Sequence, residues 1–271
     1  MRSPRLLQNV LVGASALLFA GALFVPGTGR NGPVLEAAVS LAKGDVRASR
    51  ATSVNVSGIA KTAVDAFAGA VHPLSRPDAL ENAFRSYFAY RTTHRDEVKK
   101  PYLYFVDYGL PSTTPRGYVF DMDSLKIVDG PFTVAHGRGS SASKYGIPTH
   151  FSNASGSNAT SLGLYVAQAT YDFHGKSGGQ AYSSVGLRLM GVSSGFNDNA
   201  LARHVVAHGA PYVTPSGAGR SEGCPAMEPA RAQQLLPKLA DGGMVFLFAP
   251  DADWIARDPW LAARDTTTAI N

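Results

Sequence analysis

"HVVAHGAPYVTPSGAGRSEGCPAMEP", residues 204–229, joins a β-branched run ending in His208-Gly209 to a glycine-rich loop that carries the one cysteine of the chain, Cys224. Val205-Val206-Ala207 reads as strand, and Pro215-Ser216-Gly217 breaks it. Gly223 admits backbone angles closed to other residues. Pro225 biases Cys224 away from helical geometry. The stretch therefore reads as a strand followed by turns, with the thiol on a loop.

The same texture extends outward. "YLYFVDYG" (102–109), "GYVFDMDS" (117–124), "LKIVDG" (125–130), "PFTVAHG" (131–137), "LGLYVAQATY" (162–171), "VGLRLMGV" (185–192) and "GGMVFLFAP" (242–250) are short aromatic or β-branched runs between turn residues. Short strands at this spacing predict a mostly β (α+β) domain, sandwiched or closed, of about 150 residues, and not alternating βαβ units. Before them, "RPDALENAFRSYFAYRTTH" (76–94) predicts a helix capped by Asp78, with Leu80, Phe84, Phe88 and Ala89 at helical spacing. One short helix is expected after the cysteine, about Glu228 to Leu239.

The chain begins with Arg2 and Arg5, followed by an apolar stretch from Leu6 to Val25 and the small residues Ala20-Gly21-Ala22. This pattern describes a secretory signal, and its length also suits an uncleaved membrane anchor. The expected layout is a signal or anchor over 1–26, a flexible Ala/Ser/Gly-rich linker with one short helix over 27–76, the working domain over 77–250, and a polar tail over 251–271. Localisation is expected to be the cell envelope or periplasm. The net charge of +5 and pI of 9.3 favour anionic surfaces. No Lys/Arg cluster interleaves with aromatics, so nucleic acid is not the expected partner.

Three chemistries compete. Gly219-Arg220-Ser221-Glu222-Gly223 fits the G-x-S-x-G elbow, which needs a later histidine. All 7 histidines precede Ser221, so the elbow reading fails. His204 and His208 share one face at a spacing of four, with Asp198 or Asp107 as a third metal ligand, but nothing in the spacing demands a metal. No metal and no cofactor is expected, and a lone cysteine excludes an intramolecular disulfide. The third reading makes Cys224 a nucleophile and His208 its base, with the N–H groups of Gly223 and Cys224 facing a developing oxyanion. On that reading His208 lowers the thiol pKa toward neutrality. A buried structural cysteine is the bland alternative, and a Gly/Ser/Arg/Glu-rich loop is a poor place for one.

"VAHGRGSS" (134–141), "FSNASGSNATSLGLYVAQATY" (151–171), "GLRLMGVSSGFNDNALARHVVAHGAPYV" (186–213) and "GRSEGCPAM" (219–227) together resemble the murein L,D-transpeptidase catalytic-domain family, a branch of the YkuD-like fold. The resemblance implies a β-sandwich or barrel domain acting on peptidoglycan stem peptides. Such enzymes cut after the diamino acid of a stem tetrapeptide through a cysteine thioester and are trapped by carbapenems. It makes Cys224 the nucleophile and His208 the base, oriented by the carbonyl of Gly209, with Ser221 and Gly223 completing the S-x-G-C core. His136 joins the expected substrate-binding set. Two departures stand out. The second histidine of the broader pattern is Glu222 here, and its arginine after the cysteine is replaced by Pro225-Ala226, for which Arg220 is the expected substitute as carboxylate anchor. Water as acceptor would make the same site an L,D-carboxypeptidase, and an idle site would leave an envelope-binding module.

Overall fold

The most apolar runs form the middle of the sheet. β1 (Tyr102–Asp107) and β12 (Met244–Phe248) pair in parallel, Leu103 opposite Met244 through Asp107 opposite Phe248. Every residue of β12, and all of β1 after Tyr102, is buried, as expected for strands covered on both faces. The computed structural model describes residues 55–262. Among them, β2 (Gly117–Asp121), β3 (Lys126–Phe132), β5 (Gly163–Ser177), β6 (Gln180–Gly191), β7 (Val206–Gly209) and β11 (Ala226–Met227) complete an eight-stranded mixed sheet in the order β11-β7-β6-β5-β12-β1-β2-β3. Two short pairs stand beside it: β4 (His136–Gly137) with β10 (Arg220–Ser221), and β8 (Val213–Thr214) with β9 (Gly217–Ala218). The fold is mostly β with few helices, and the expected sandwich or barrel takes the form of this one large sheet.

β5 and β6 make a long hairpin. Its turn is Gly178-Gly179, with φ of 57° and 82°, the left-handed pair that a two-residue hairpin loop requires. The base of β5, Gly163–Ala167, is buried; beyond an irregularity between Ala167 and Thr170 the strand alternates. Tyr171 and Phe173 turn inward, while Asp172, His174 and Lys176 are exposed. This period-2 pattern carries aromatic side chains out over the region where β7 ends.

Ordered chain extends past both boundaries read from the sequence. Within the stretch expected as linker, α1 (Val56–Ala66) is capped by Asn55, whose Oδ1 accepts from the Gly58 N–H at 2.7 Å. Ala60, Ala63, Phe67 and Val71 are buried, and Phe67 meets the rings of Phe84 and Phe120 at 5.5 and 4.8 Å. An Ala-rich stripe at helical spacing supplied that face with few large side chains to announce it. α2 (Ala79–Thr93) matches the predicted helix, but Asp78 makes no capping bond. Its carboxylate instead receives Nε and Nη2 of Arg76, both at 2.9 Å. α3 (Pro229–Leu239) follows the cysteine loop, with Pro229 in its first turn, where a missing N–H does no harm.

The supposed polar tail starts with α4 (Ala252–Arg257) and α5 (Pro259–Ala262), and Trp254 and Leu261 are core residues. Trp254 packs on Phe246 and Phe248 of β12 at 5.9 and 5.8 Å, and its indole N–H donates to Asp258 at 2.8 Å. The expected leader and the first part of the linker lie outside the described residues, as does the end of the tail. None of the described helices is long and apolar enough to cross a membrane.

Trp254→Ala should lower unfolding stability by about 3–5 kcal/mol, the usual loss for truncating a buried tryptophan. The urea midpoint of the purified domain checks this. A change below about 1 kcal/mol would mean that the C-terminal helices do not belong to the core.

Candidate active site

The cysteine loop lies between two copies of one tetrapeptide. Val134–Gly137 and Val206–Gly209 both read Val-Ala-His-Gly. β10 runs parallel to the first, with Arg220 opposite His136 and Ser221 opposite Gly137. β11 runs parallel to the second, with Ala226 opposite His208 and Met227 opposite Gly209. Bonds from Ala135 N to Ala226 O (2.8 Å) and Ala210 N to Met227 O (2.9 Å) add to the grip. Residues 222–225 are the turn left between the two ladders.

Ser221 staples that turn. Its hydroxyl donates to the Cys224 carbonyl at 2.6 Å and accepts the Gly223 N–H at 3.2 Å. The Gly223 N–H is thereby committed to Ser221. The Cys224 N–H has no partner among the described residues, so of the two expected oxyanion donors only this one is free. Gly223 has φ of +119°, and a Cβ there would lie 2.9 Å from the Ala159 carbonyl oxygen. Glycine is required on both counts.

His208 is 3% exposed. Its Nδ1 donates to the Gly209 carbonyl at 3.1 Å. A carbonyl only accepts, so the proton resides on Nδ1 and Nε2 keeps a lone pair. Phe173 stacks on the imidazole at 4.1 Å and 18°, fixing the ring plane. The thiol lies along the same strand: Sγ accepts from the Val206 N–H at 3.5 Å and faces the His204 carbonyl at 3.9 Å. Among the described residues no hydrogen bond joins Sγ to His208.

The electrostatics correct one expectation. Burial pushes the Cys224 thiol up to about 11, despite the Val206 N–H and the Arg203 charge, and Glu222 adds to the rise. Burial pushes His208 down to about 4, against the pull of its bond to Gly209. The resting pair is thus neutral thiol and neutral imidazole, not thiolate and imidazolium. Desolvation disfavours both charged forms, and no ion pair compensates.

The other expected residues are placed as follows. Arg220 donates Nη1 to the carbonyls of Ser141 and Ala142 at 2.9 and 3.0 Å, which anchors that loop. His136 is fully buried, with Nδ1 receiving Nη2 of the buried Arg116 at 3.0 Å. Burial, then Arg116 and Arg220, hold His136 down to about 3. Because a guanidinium only donates, His136 carries its proton on Nε2, which is buried without a partner. Glu222 meets Arg138 at 3.6 Å in an exposed pair. Asp107 is occupied by Ser75 and Gly109, and Asp198 by Asn153. Among the described residues no three His, Cys, Asp or Glu side chains converge as metal ligands.

Sequence reasoning passed over Arg203. Its guanidinium donates to Ser152 O, Ser161 Oγ, Ser157 Oγ and Ala159 O, within 2.8–3.2 Å. It ties the 152–161 segment to the cysteine turn and is the cation that lowers the thiol pKa most directly. Its place four residues before Ala207 gave no cue, since its acceptors are mostly carbonyls and hydroxyls some 45 residues away.

A mostly β domain that presents one thiol on a stapled glycine turn, beside a buried histidine of fixed tautomer, defines a cysteine–histidine site on a sheet edge. The chain belongs to the L,D-transpeptidase catalytic domain family, which it matches over residues 73–248. Among solved structures it is similar to an L,D-transpeptidase from Mycobacterium smegmatis (15% identity, 55% of this chain and 59% of that one, TM-score 0.33). One from Mycobacterium tuberculosis gives 15% identity, 55% and 57% coverage, and a TM-score of 0.35. One from Xylanimonas cellulosilytica gives 14%, 55% and 61%, and 0.32. The chain thus covers less than two thirds of each. The comparison with curated proteins finds no match.

The neutral resting pair makes a measurable prediction. Alkylation of Cys224 by iodoacetamide should still be rising at pH 9–10, because a thiol held up to about 11 is mostly protonated there and its thiolate fraction is still growing. A rate plateau near pH 7 would show a resting thiolate–imidazolium pair instead.

Proposed function

We propose that this domain is an exported L,D-transpeptidase that acts on peptidoglycan stem peptides through a thioester on Cys224. The observation that carries this reading is the His208 Nδ1–Gly209 carbonyl bond, which leaves Nε2 as a base on the strand that also holds the thiol. Family membership supports the substrate class, and Arg2, Arg5 and the apolar run to Val25 support export, the same run having the length of an uncleaved anchor.

The chemistry runs as follows. Cys224 turns from the His204 carbonyl toward His208, whose Nε2 takes the thiol proton as Sγ attacks the carbonyl carbon after the diamino acid. The oxyanion that forms is met by the Cys224 N–H. The imidazolium gives its proton to the nitrogen of the departing terminal D-alanine, and the C–N bond breaks to leave the thioester. An amine of a second stem then attacks the thioester carbonyl and loses a proton to His208. The C–S bond breaks and Sγ recovers that proton. Proton transfer concerted with attack suits a neutral pair, since neither charged partner has to exist beforehand in the dry site. Water in place of the amine gives L,D-carboxypeptidase activity from the same thioester.

Incubation with disaccharide-tetrapeptide, and separately with a carbapenem, each followed by intact-mass measurement, tests the reading. We expect one thioester or carbapenem adduct, mapped to the peptide holding Cys224 and absent in Cys224→Ser. His208→Ala should lower kcat/KM by about 10²–10⁴-fold. A folded protein that forms no adduct, or one whose adduct forms equally fast without His208, would overturn the proposal. Cross-linked against shortened products distinguish an amine acceptor from water.

A further inference from the structure

A histidine that takes a proton becomes a cation, and something must meet that charge. At His208 the group facing Nδ1 is the neutral carbonyl of Gly209. Among the described residues no carboxylate bonds to His208, and at 3% exposure the ring has little water. Polar groups alone leave an imidazolium there poorly compensated.

The remaining neighbour is aromatic. The Phe173 ring lies 4.1 Å from the imidazole, centroid to centroid, at an interplanar angle of 18°. Phe173 is on β5 and His208 on β7, with β6 between them. Two strand spacings are about 9–10 Å, so the rings meet by reaching across β6. Gly186 is the residue of β6 opposite both His208 and Tyr171. A Cβ on Gly186 would lie 2.7 Å from the Tyr171 ring and 3.1 Å from Phe173 Cβ. A glycine thus leaves the gap that the aromatic side chains fill. Tyr171 and Tyr182 in turn pack on Phe173, at centroid distances of 6.3 and 6.0 Å.

The face of a phenyl ring is the negative part of its quadrupole. A cation within about 6 Å of the centroid is drawn to that face, most strongly where water is excluded. Because the two planes are nearly parallel, Phe173 presents its face and not its positive edge. Neutral imidazole gains little from this contact and imidazolium gains more, so the stacking acts when the proton arrives.

We propose that Phe173 is a positioning residue for the reaction: its face stabilises the positive charge that His208 takes up with the Cys224 proton. Gly186 is the gap that admits it. The contact acts on both halves of the reaction, since His208 is protonated during thioester formation and again when the acceptor attacks. The proposal rests on the transpeptidase reading for those two steps, whereas the stacking itself needs only the Cys224–His208 pair.

Phenylalanine analogues with one, two and three ring fluorines at position 173 test it. Successive fluorines weaken the negative face while nearly preserving the shape of the ring. Two rate constants are read for each protein: thioester formation with the tetrapeptide, and alkylation of Cys224 by iodoacetamide at pH 7, where the thiol proton leaves to His208. Both should fall stepwise with fluorine number, by about tenfold over the series, while KM and the urea midpoint hold. Phe173→Leu, which keeps the bulk and removes the face, should match the trifluorinated protein. Rates independent of fluorine number overturn the proposal, whether or not a thioester forms. A loss confined to Phe173→Leu reveals packing alone and also overturns it. A stepwise fall in alkylation with no thioester in any protein removes the transpeptidase reading and keeps the stacking. A thioester that forms at one rate across the series does the reverse.

Discussion

The cysteine turn is held by backbone pairing on both flanks, and the site depends on that grip. Parallel ladders need evenly spaced partners, so fixing Ser221 against Gly137 and Ala226 against His208 leaves four residues to bridge two strands. Only a left-handed glycine completes such a short bridge beneath the Ala159 carbonyl. Close packing extends the constraint. A Cβ on Gly137 would lie 2.9 Å from Gly223 Cα, and one on Gly209 would lie 2.2 Å from Ser184 Oγ. The glycines after the two histidines are thus spacing elements: Gly137 lets β4 approach the loop, and Gly209 lets β7 sit against Ser184 and the start of α3.

Desolvation decides the protonation states once that geometry is set. A site packed closely enough to fix an imidazole between a carbonyl and a phenyl ring also excludes the water that would stabilise charge. The same logic applies to His136, where Arg116 fixes the tautomer and burial keeps the ring neutral. Both histidines hold one defined proton, and in each a single hydrogen bond chooses the nitrogen. Arg203 and the Val206 N–H offset part of the thiol's burial without reversing it.

Much of this was legible in the chain. The β texture, the helix at 79–93 and the helix after the cysteine follow from local patterns, because strands and helices are written in nearest neighbours. What escaped is non-local. A short helix was expected before residue 77, but not its burial: α1 packs small alanines, so its apolar face is quiet in composition, and Trp254 sits in a polar stretch whose partners are on β12. Asp78 looked like a cap until Arg76 claimed its carboxylate. Arg220 was read as a carboxylate anchor from its nearness to the cysteine, and its bonds to the Ser141 and Ala142 carbonyls, 79 and 78 positions away, had no local cue. The repeated Val-Ala-His-Gly was visible but unexplained, since only the topology shows that the copies face the same loop.

The raised thiol pKa has a consequence for durability. Oxidation of cysteine proceeds through the thiolate, and so does exchange with a foreign disulfide. A thiol that burial holds protonated above neutral pH, with an uncharged imidazole on the neighbouring strand, offers peroxides and mixed disulfides little to attack. The chain has no second cysteine to resolve a sulfenic acid into an internal disulfide. A sulfur kept in its protonated form needs that repair route less.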